Sequence, residues 1–351
     1  MNYTGNLPWI KSNTILYTMS GSRAYGTNTE DSDYDYKGIC IPPEEYRLGF
    51  LNNFEQSEFR PHENGESVIY DIRKFFKLAA DNNPNILELL WTAEEDVLEI
   101  DSRGELLRKN REAFLSKKCL YTYARCAVSQ LKRIQTHRKW LLDPPEHKPE
   151  REEFNIPNIN IPSEQLNAAL TAIKNKIDSW EIDFKDTDEA TKIYIYEQIQ
   201  NFLVDITESD KFKKAGSLLG FDDNFIHYLE LEREYRQSLA HYNQYQTWKK
   251  ERNPKRAALE AKMGYDGKHA AHLYRLMLTC REILTEGKVY VRRKDAEELL
   301  AIRNGKYTYD EIIKWTEEQD KDLIKVAQTS GLPNSPDRNM LDKLCIEIIK
   351  M

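Results

Sequence analysis

The sequence predicts an α/β (α+β) fold over about residues 1–115, followed by a mostly α-helical remainder over 116–351. Three observations predict it. Two short apolar runs, Ile15–Met19 and Tyr34–Ile41, flank a Gly-Ser turn and a polar loop, as two neighbouring strands do. Residues 54–70 read as a hairpin, Phe54–Phe59 and Glu66–Tyr70 around Glu63-Asn64-Gly65, because Asn-Gly between such runs is a strong hairpin signal. From residue 72 onward the apolar spacing changes to three and four, the period of an amphipathic helix.

Taken in order, residues 1–14 are a short leader whose Pro8-Trp9-Ile10 packs under the sheet. Pro42-Pro43 ends the second strand, since proline cannot donate to a ladder. Residues 44–58 connect to the hairpin with exposed carboxylates. Ile72, Phe75, Phe76 and Ala79 mark a helix over 72–81, with Asp71 placed to cap it. Asn83-Pro84 stops that helix and starts the next, asparagine as cap and proline in the first helical position. The next helix presents Ile86, Leu87, Leu89 and Leu90 to the core and Glu88 to solvent. Residues 103–140 are helical in pattern and mix bases with aromatics, a combination that suits a nucleic-acid groove as well as a solvated face. Five prolines in 143–163 forbid regular structure there and make a long surface loop. Helices are expected at Leu166–Trp180 and Glu189–Leu203, two more within 207–240, one from Lys268, and three at 295–303, 309–328 and 337–350.

The chemistry concentrates in residues 20–35. Residues two apart in a strand share a face, so Asp33 and Asp35 aim two carboxylates at one point. Adjacent anions repel unless a cation lies between them, and hard oxygen ligands at this spacing suit Mg²⁺ or Mn²⁺. The turn at Gly21-Ser22 opens a short helix, where backbone N–H groups, the Ser22 hydroxyl and Arg23 can hold phosphate oxygens. A phosphate cradle beside a two-carboxylate metal site describes metal-assisted phosphoryl or nucleotidyl transfer. A third carboxylate commonly completes such sites, and two candidates exist, Glu66 and Asp71, on opposite faces of one strand. Farther along, Lys268, His272 and Arg275 lie on one helix face, an arrangement that suits an anion such as a triphosphate. Asp266 is placed to cap that helix and to orient His269.

These residues also resemble a known family. Gly21-Ser22 followed by Asp33-Tyr34-Asp35 is similar to the signature of the DNA polymerase beta nucleotidyltransferase superfamily. Tyr70-Asp71-Ile72-Arg73-Lys74-Phe75, the stretch Asn83–Leu90, and Gly264-Tyr265-Asp266-Gly267-Lys268-His269-Ala270-Ala271-His272 extend the likeness to predicted nucleotidyltransferases associated with RNA ligases of bacteria and phages. The resemblance implies a catalytic domain with a mixed sheet over 1–115 and a helical substrate-binding domain over 116–351. It implies transfer of a nucleoside monophosphate from an NTP to an acceptor hydroxyl, most simply a tRNA or RNA 3′ end, with release of pyrophosphate. Asp33, Asp35 and a third carboxylate would bind metal, with Gly21, Ser22, Arg23, Lys268, His272 and Arg275 on the nucleotide. The family spacing selects Glu66 as the third carboxylate, at a position where the family more often carries Asp. Transfer to a protein or small molecule, and a non-catalytic RNA- or nucleotide-binding module, remain alternative readings.

Composition bounds the partners. The 351 residues carry a formal net charge of −7, so the chain does not coat nucleic acid by bulk charge, and any RNA contact is local. No apolar run approaches the roughly 20 residues of a membrane span, and the N-terminus lacks a signal-peptide pattern. Five unpaired-looking cysteines read as reduced thiols of a cytoplasmic protein.

Overall fold

The computed structural model describes residues 1–158, 161–179 and 208–351. A helical turn, α1 (Trp9–Asn13), leads into β1 (Thr14–Ser20), the short helix α2 (Gly21–Tyr25) and β2 (Tyr34–Cys40). After α3 (Glu44–Arg47) come β3 (Gln56–Phe59) and β4 (Gly65–Asp71), then α4 (Ile72–Ala80), α5 (Pro84–Trp91), β5 (Val97–Ile100) and α6 (Ser102–Lys109). The next helices are α7 (Cys119–Leu142), α8 (Ser163–Asp178), α9 (Glu208–Leu218) and α10 (Asp223–Glu251). The chain closes with α11 (Pro254–Met263), α12 (Gly267–Glu286), α13 (Ala296–Arg303), α14 (Tyr309–Thr329) and α15 (Arg338–Lys350). The hairpin and the three C-terminal helices lie where their sequence patterns put them. The expected helix Glu189–Leu203 and the end of its predecessor at Trp180 lie outside the described residues. The single helical stretch expected over 103–140 is broken into α6, a 3-10 turn at Arg111–Phe114 and α7.

The sheet is mixed, in the order β3-β4-β2-β1-β5. β2 lies between antiparallel β1 and parallel β4, with Asp35 opposite Ser20 on one side and Glu66 on the other. Directly opposed residues share a face. One face therefore carries Leu16, Ile39 and Tyr70 at one end, Thr18, Lys37 and Val68 in the middle, and Ser20, Asp35 and Glu66 at the other. The apolar end joins a large core with Phe75, Leu87, Phe114 and Tyr123 and with Leu273, Leu276 and Cys280 of α12. The opposite face buries Tyr17, Cys40, Phe59 and Ile69 under Ile10 of α1, with Trp9 against Phe54 and Tyr46.

Contacts gather the described residues into two compact units, Met1–Leu142 with Pro254–Met351, and Asp143–Asn253. Residue 115 falls inside the first unit, because α7 and α12 pack along each other and share the core that covers the sheet. The second unit has its own core, in which Leu166 and Ile173 of α8 meet Phe212 and Ala215 of α9 and Ile226 and Leu229 of α10. All five thiols are free. Among the described residues no helix is long and apolar enough to cross a membrane.

Caps fix the helix starts. Asp71 accepts from the backbone N–H groups of Arg73 and Lys74, Asn83 caps α5 ahead of Pro84, and Asp266 accepts from His269 N–H at the start of α12. Glu88 departs from its expected solvent-facing position. It is 4% exposed and ion-paired with Arg275, itself 3% exposed. The second Glu88 oxygen accepts from Tyr25 Oη at 2.6 Å, and the Arg275 guanidinium lies 3.9 Å over the Tyr25 ring. Burial alone would raise the Glu88 carboxyl, but Arg275, Lys37 and the Tyr25 hydroxyl outweigh it and hold the pKa below its usual value. This network joins α2, α5 and α12.

Removing one member of a buried pair strands the other charge, at a cost of about 3–5 kcal/mol. Arg275→Ala should therefore lower the urea midpoint markedly. The apolar double replacement Glu88→Leu plus Arg275→Met should recover most of the loss. Equal losses in the single and double variants would show that the pair is not the source of the effect.

Candidate active site

Gly21 stands where β1 ends, with φ of +63°, a backbone conformation that side chains rarely adopt. A Cβ built on it would overlap the Asp35 carboxylate, so only glycine lets the turn and that carboxylate occupy adjacent space. Asp35 is half-buried near the start of β2, and Asp33 is exposed just before the strand. Glu66 is the direct neighbour of Asp35 on β4, with its side chain 70% exposed and 3.7 Å from Arg60. Burial, then Glu66, then Asp33 raise the pKa of Asp35, while Lys37 and Lys268 oppose the rise. Asp33 and Glu66 thus lie near enough to Asp35 for their charges to disfavour its ionisation. Carboxylates in this neighbourhood suit a hard divalent cation, which would draw them together, since among the described residues their ligand atoms do not all lie within 4.8 Å of one another.

Asp71 lies elsewhere. It is buried at the far end of β4, on the opposite face from Glu66, where it caps α4 and pairs with Arg73 at 2.9 Å. Its carboxylate is thus committed to a helix start.

The basic residues divide. Arg23 donates to the carbonyls of Ser32 at 2.7 Å and Asp33 at 3.2 Å and lies 3.6 Å over the Tyr34 ring. Its guanidinium thus fixes the loop that presents Asp33, and this engagement differs from the direct phosphate contact expected of it. Arg275 is turned into the core by Glu88, away from any position on solvent-borne phosphate. His272 contacts Arg275 at 3.4 Å through Nδ1. Arginine only donates, so His272 Nδ1 accepts there. Burial and the Arg275 charge push the His272 pKa down to about 3, so the ring is neutral at physiological pH. The three-cation face expected along this helix is thus one solvent-side cation, Lys268. Lys268 is coupled electrostatically to Asp35, and partial burial, Arg256 and Arg303 lower its pKa.

Sequence reasoning misses Lys37 and misplaces Glu88. Lys37, two positions after Asp35 on the same face, donates to the Asn85 carbonyl at 2.9 Å, and burial lowers its pKa. The period-two rule that joins Asp33 to Asp35 reaches it. Glu88 has a signal too, a lone carboxylate within the apolar run Ile86–Leu90. The basic pair Arg292 and Arg293 is held by Asp96 and by Glu282 and Asp295 respectively.

Residues 7–149 match the model of a family described as the RNA repair pathway DNA polymerase beta family. That span includes Gly21, Ser22, Asp33, Asp35 and Glu66, and the DNA polymerase beta-like resemblance holds across it. The chain is 33% identical over 110 residues to an uncharacterized 38.9 kDa protein of Enterobacteria phage T4, covering 29% of this chain and 33% of that protein. It is 33% identical over 121 residues to the uncharacterized protein YcgL of Bacillus subtilis (strain 168), covering 34% of this chain and 46% of that protein. The chain thus spans less than half the length of each of these relatives. No solved structure matches it.

The raised pKa of Asp35 fixes a sign. A carboxyl held above its unfolded value of 3.8 destabilises the fold progressively as pH rises through and beyond that value. Asp35→Asn should raise the thermal midpoint of the metal-free protein at pH 7. Mg²⁺ at tenfold its dissociation constant should stabilise the wild type by about 1.4 kcal/mol, a shift of a few degrees. The same Mg²⁺ should leave the Asp33→Asn plus Asp35→Asn variant unmoved. A Mg²⁺ shift retained in that variant would place the cation elsewhere.

Proposed function

We propose that this chain, whose residues 7–149 resemble the RNA-repair branch of DNA polymerase beta-like nucleotidyltransferases, transfers a nucleoside monophosphate from an NTP to an RNA end. The closeness of Asp35 to the Gly21 turn, with the Glu66 and Asp33 charges acting on it, supports this reading. Asp33, Asp35 and Glu66 would hold a divalent cation, Mg²⁺ or Mn²⁺, which would supply positive charge to the α-phosphate and lower the pKa of the attacking hydroxyl. The chain's own groups do the rest. The Gly21 backbone and the Ser22 hydroxyl hold the β- and γ-phosphates, and Lys268 meets the negative charge that builds on the departing pyrophosphate. Arg23 positions Asp33 by holding the carbonyls of Ser32 and Asp33. Arg275 and His272 position α12, and so Lys268, through Glu88. The RNA acceptor is supported by the description of the matched family.

Incubation with each of the four α-³²P-labelled NTPs, Mg²⁺ or Mn²⁺, total RNA and protein extract tests this on a denaturing gel. Label should enter RNA, and the Asp33→Ala plus Asp35→Ala variant should abolish it. Lys268→Ala should lower kcat/KM on the order of tenfold, ~1.4 kcal/mol of transition-state stabilisation. Label on protein alone would replace RNA by a protein acceptor. Salt-sensitive RNA binding without pyrophosphate release would replace the enzyme by a binding module.

A further inference from the structure

Among the described residues, a compact set of metal-ligating side chains away from the three carboxylates lies between α7 and the first turn of α12. His137 Nδ1 donates to Asp266 Oδ2 at 2.9 Å, since a carboxylate only accepts, so it can bind a metal once its ring proton moves to Nε2; His269 Nε2 is 3.5 Å from the same oxygen. All three ligand atoms fall within 4.8 Å of one another. We infer that His137, Asp266 and His269 form a second cation site, of the zinc class and distinct in chemistry from the all-carboxylate site on the sheet.

Spacing, ring orientation, burial and donor chemistry all support this. Tetrahedral zinc with bonds of about 2.0–2.2 Å holds its ligand atoms about 3.3–3.6 Å apart, and the three atoms here already lie within 4.8 Å of one another. The ring orientation is set by a neighbour, because Gln130 Oε1 lies 2.7 Å from His269 Nδ1. An amide oxygen only accepts, so Nδ1 carries the proton and Nε2 turns its lone pair toward Asp266. Asp266 is fully buried and divides its oxygens, Oδ1 capping α12 at His269 N–H and Oδ2 facing the histidines. Two imidazoles and one carboxylate suit Zn²⁺ or Co²⁺, whereas the oxygen-only set of Asp33, Asp35 and Glu66 suits Mg²⁺.

Arg256 of α11 also reaches Asp266 Oδ2, and it donates to Glu260 Oε1 at 2.9 Å. A cation and Arg256 therefore compete for one oxygen, and Glu260 keeps a partner for the guanidinium once it is displaced. The bound metal cross-links α7 to the start of α12, with His269 directly after Lys268 in the chain. The inference stands on these residues alone and does not depend on nucleotidyl transfer.

The test strips the full-length protein with a chelator, adds Zn²⁺ or Co²⁺, dialyses, and measures metal per chain by atomic emission. The wild type should retain one equivalent, and Co²⁺ should give the visible absorption of a low-coordinate nitrogen and oxygen site. Asp33→Asn plus Asp35→Asn should keep both signals. His137→Gln plus His269→Gln should lose both with an unchanged far-UV spectrum. Arg256→Gln should bind more tightly. Histidine-selective ¹⁵N NMR of the wild type gives a reading that needs no variant, since Zn²⁺ should shift His137 Nδ1 and His269 Nε2. Failure of the folded wild type to retain metal would overturn the inference. So would metal that depends on the two aspartates, or histidine resonances that Zn²⁺ does not move.

Discussion

Glu88 and Arg275 are the contact on which the arrangement of the first unit turns. A carboxylate and a guanidinium removed from water lose far more hydration than an exposed pair, and only close geometry with further hydrogen bonds offsets that loss. Here both Glu88 oxygens are used, one by Arg275 and one by Tyr25. Tyr25 ends the short helix that Gly21 begins, Glu88 lies mid-way along α5, and Arg275 belongs to α12. The pair therefore fixes the turn at Gly21 and the helix bearing Lys268 against the same sheet face. A misplaced α12 would leave two charges in the core, so the network selects one packing of these helices. It also accounts for the neutral His272, whose ring accepts from the same guanidinium.

The sheet face beneath it carries a gradient. Along β1, β2 and β4 it passes from Leu16, Ile39 and Tyr70 through Thr18, Lys37 and Val68 to Ser20, Asp35 and Glu66. The apolar end supplies burial and the polar end concentrates negative charge. Lys37 sits between the two and feels Glu88 and Arg275 on one side and Asp35 on the other. Burial and the neighbouring Glu66 and Asp33 charges disfavour ionised Asp35, and a cation there would relieve that. The fold tolerates it because Asp33 and Glu66 are largely solvated.

Local physics makes much of this legible. Period-two and period-three-or-four patterns locate the first two strands, the hairpin and the helices of the sheet domain. Asp71, Asn83 and Asp266 are recognisable as caps because each directly precedes a helical run. The strand β5 escapes, since Val97–Ile100 is four residues of alternating partial exposure with Glu99 among them. Long-range pairing is the larger blind spot. Helical spacing correctly puts Lys268, His272 and Arg275 near one another, but nothing local states that Arg275 faces a carboxylate 187 positions away. Arg23 misleads for a related reason. Its partners are backbone carbonyls of a loop whose path the sequence does not specify. His137 looks solitary in the sequence because Asp266 and His269 lie on another helix.

The division of the first unit into Met1–Leu142 and Pro254–Met351 has a consequence for how the chain is made. A ribosome adding roughly 5–20 residues per second needs about 10–40 seconds to travel the 187 positions from Glu88 to Arg275. Throughout that interval the sheet exists without α12, and the Glu88 carboxylate has no guanidinium to receive it. The intervening Asp143–Asn253 unit has a core of its own, so it can close while the earlier segment waits. The order of synthesis and the order of contacts therefore differ in this protein, since the sheet is made well before the helix that completes its core.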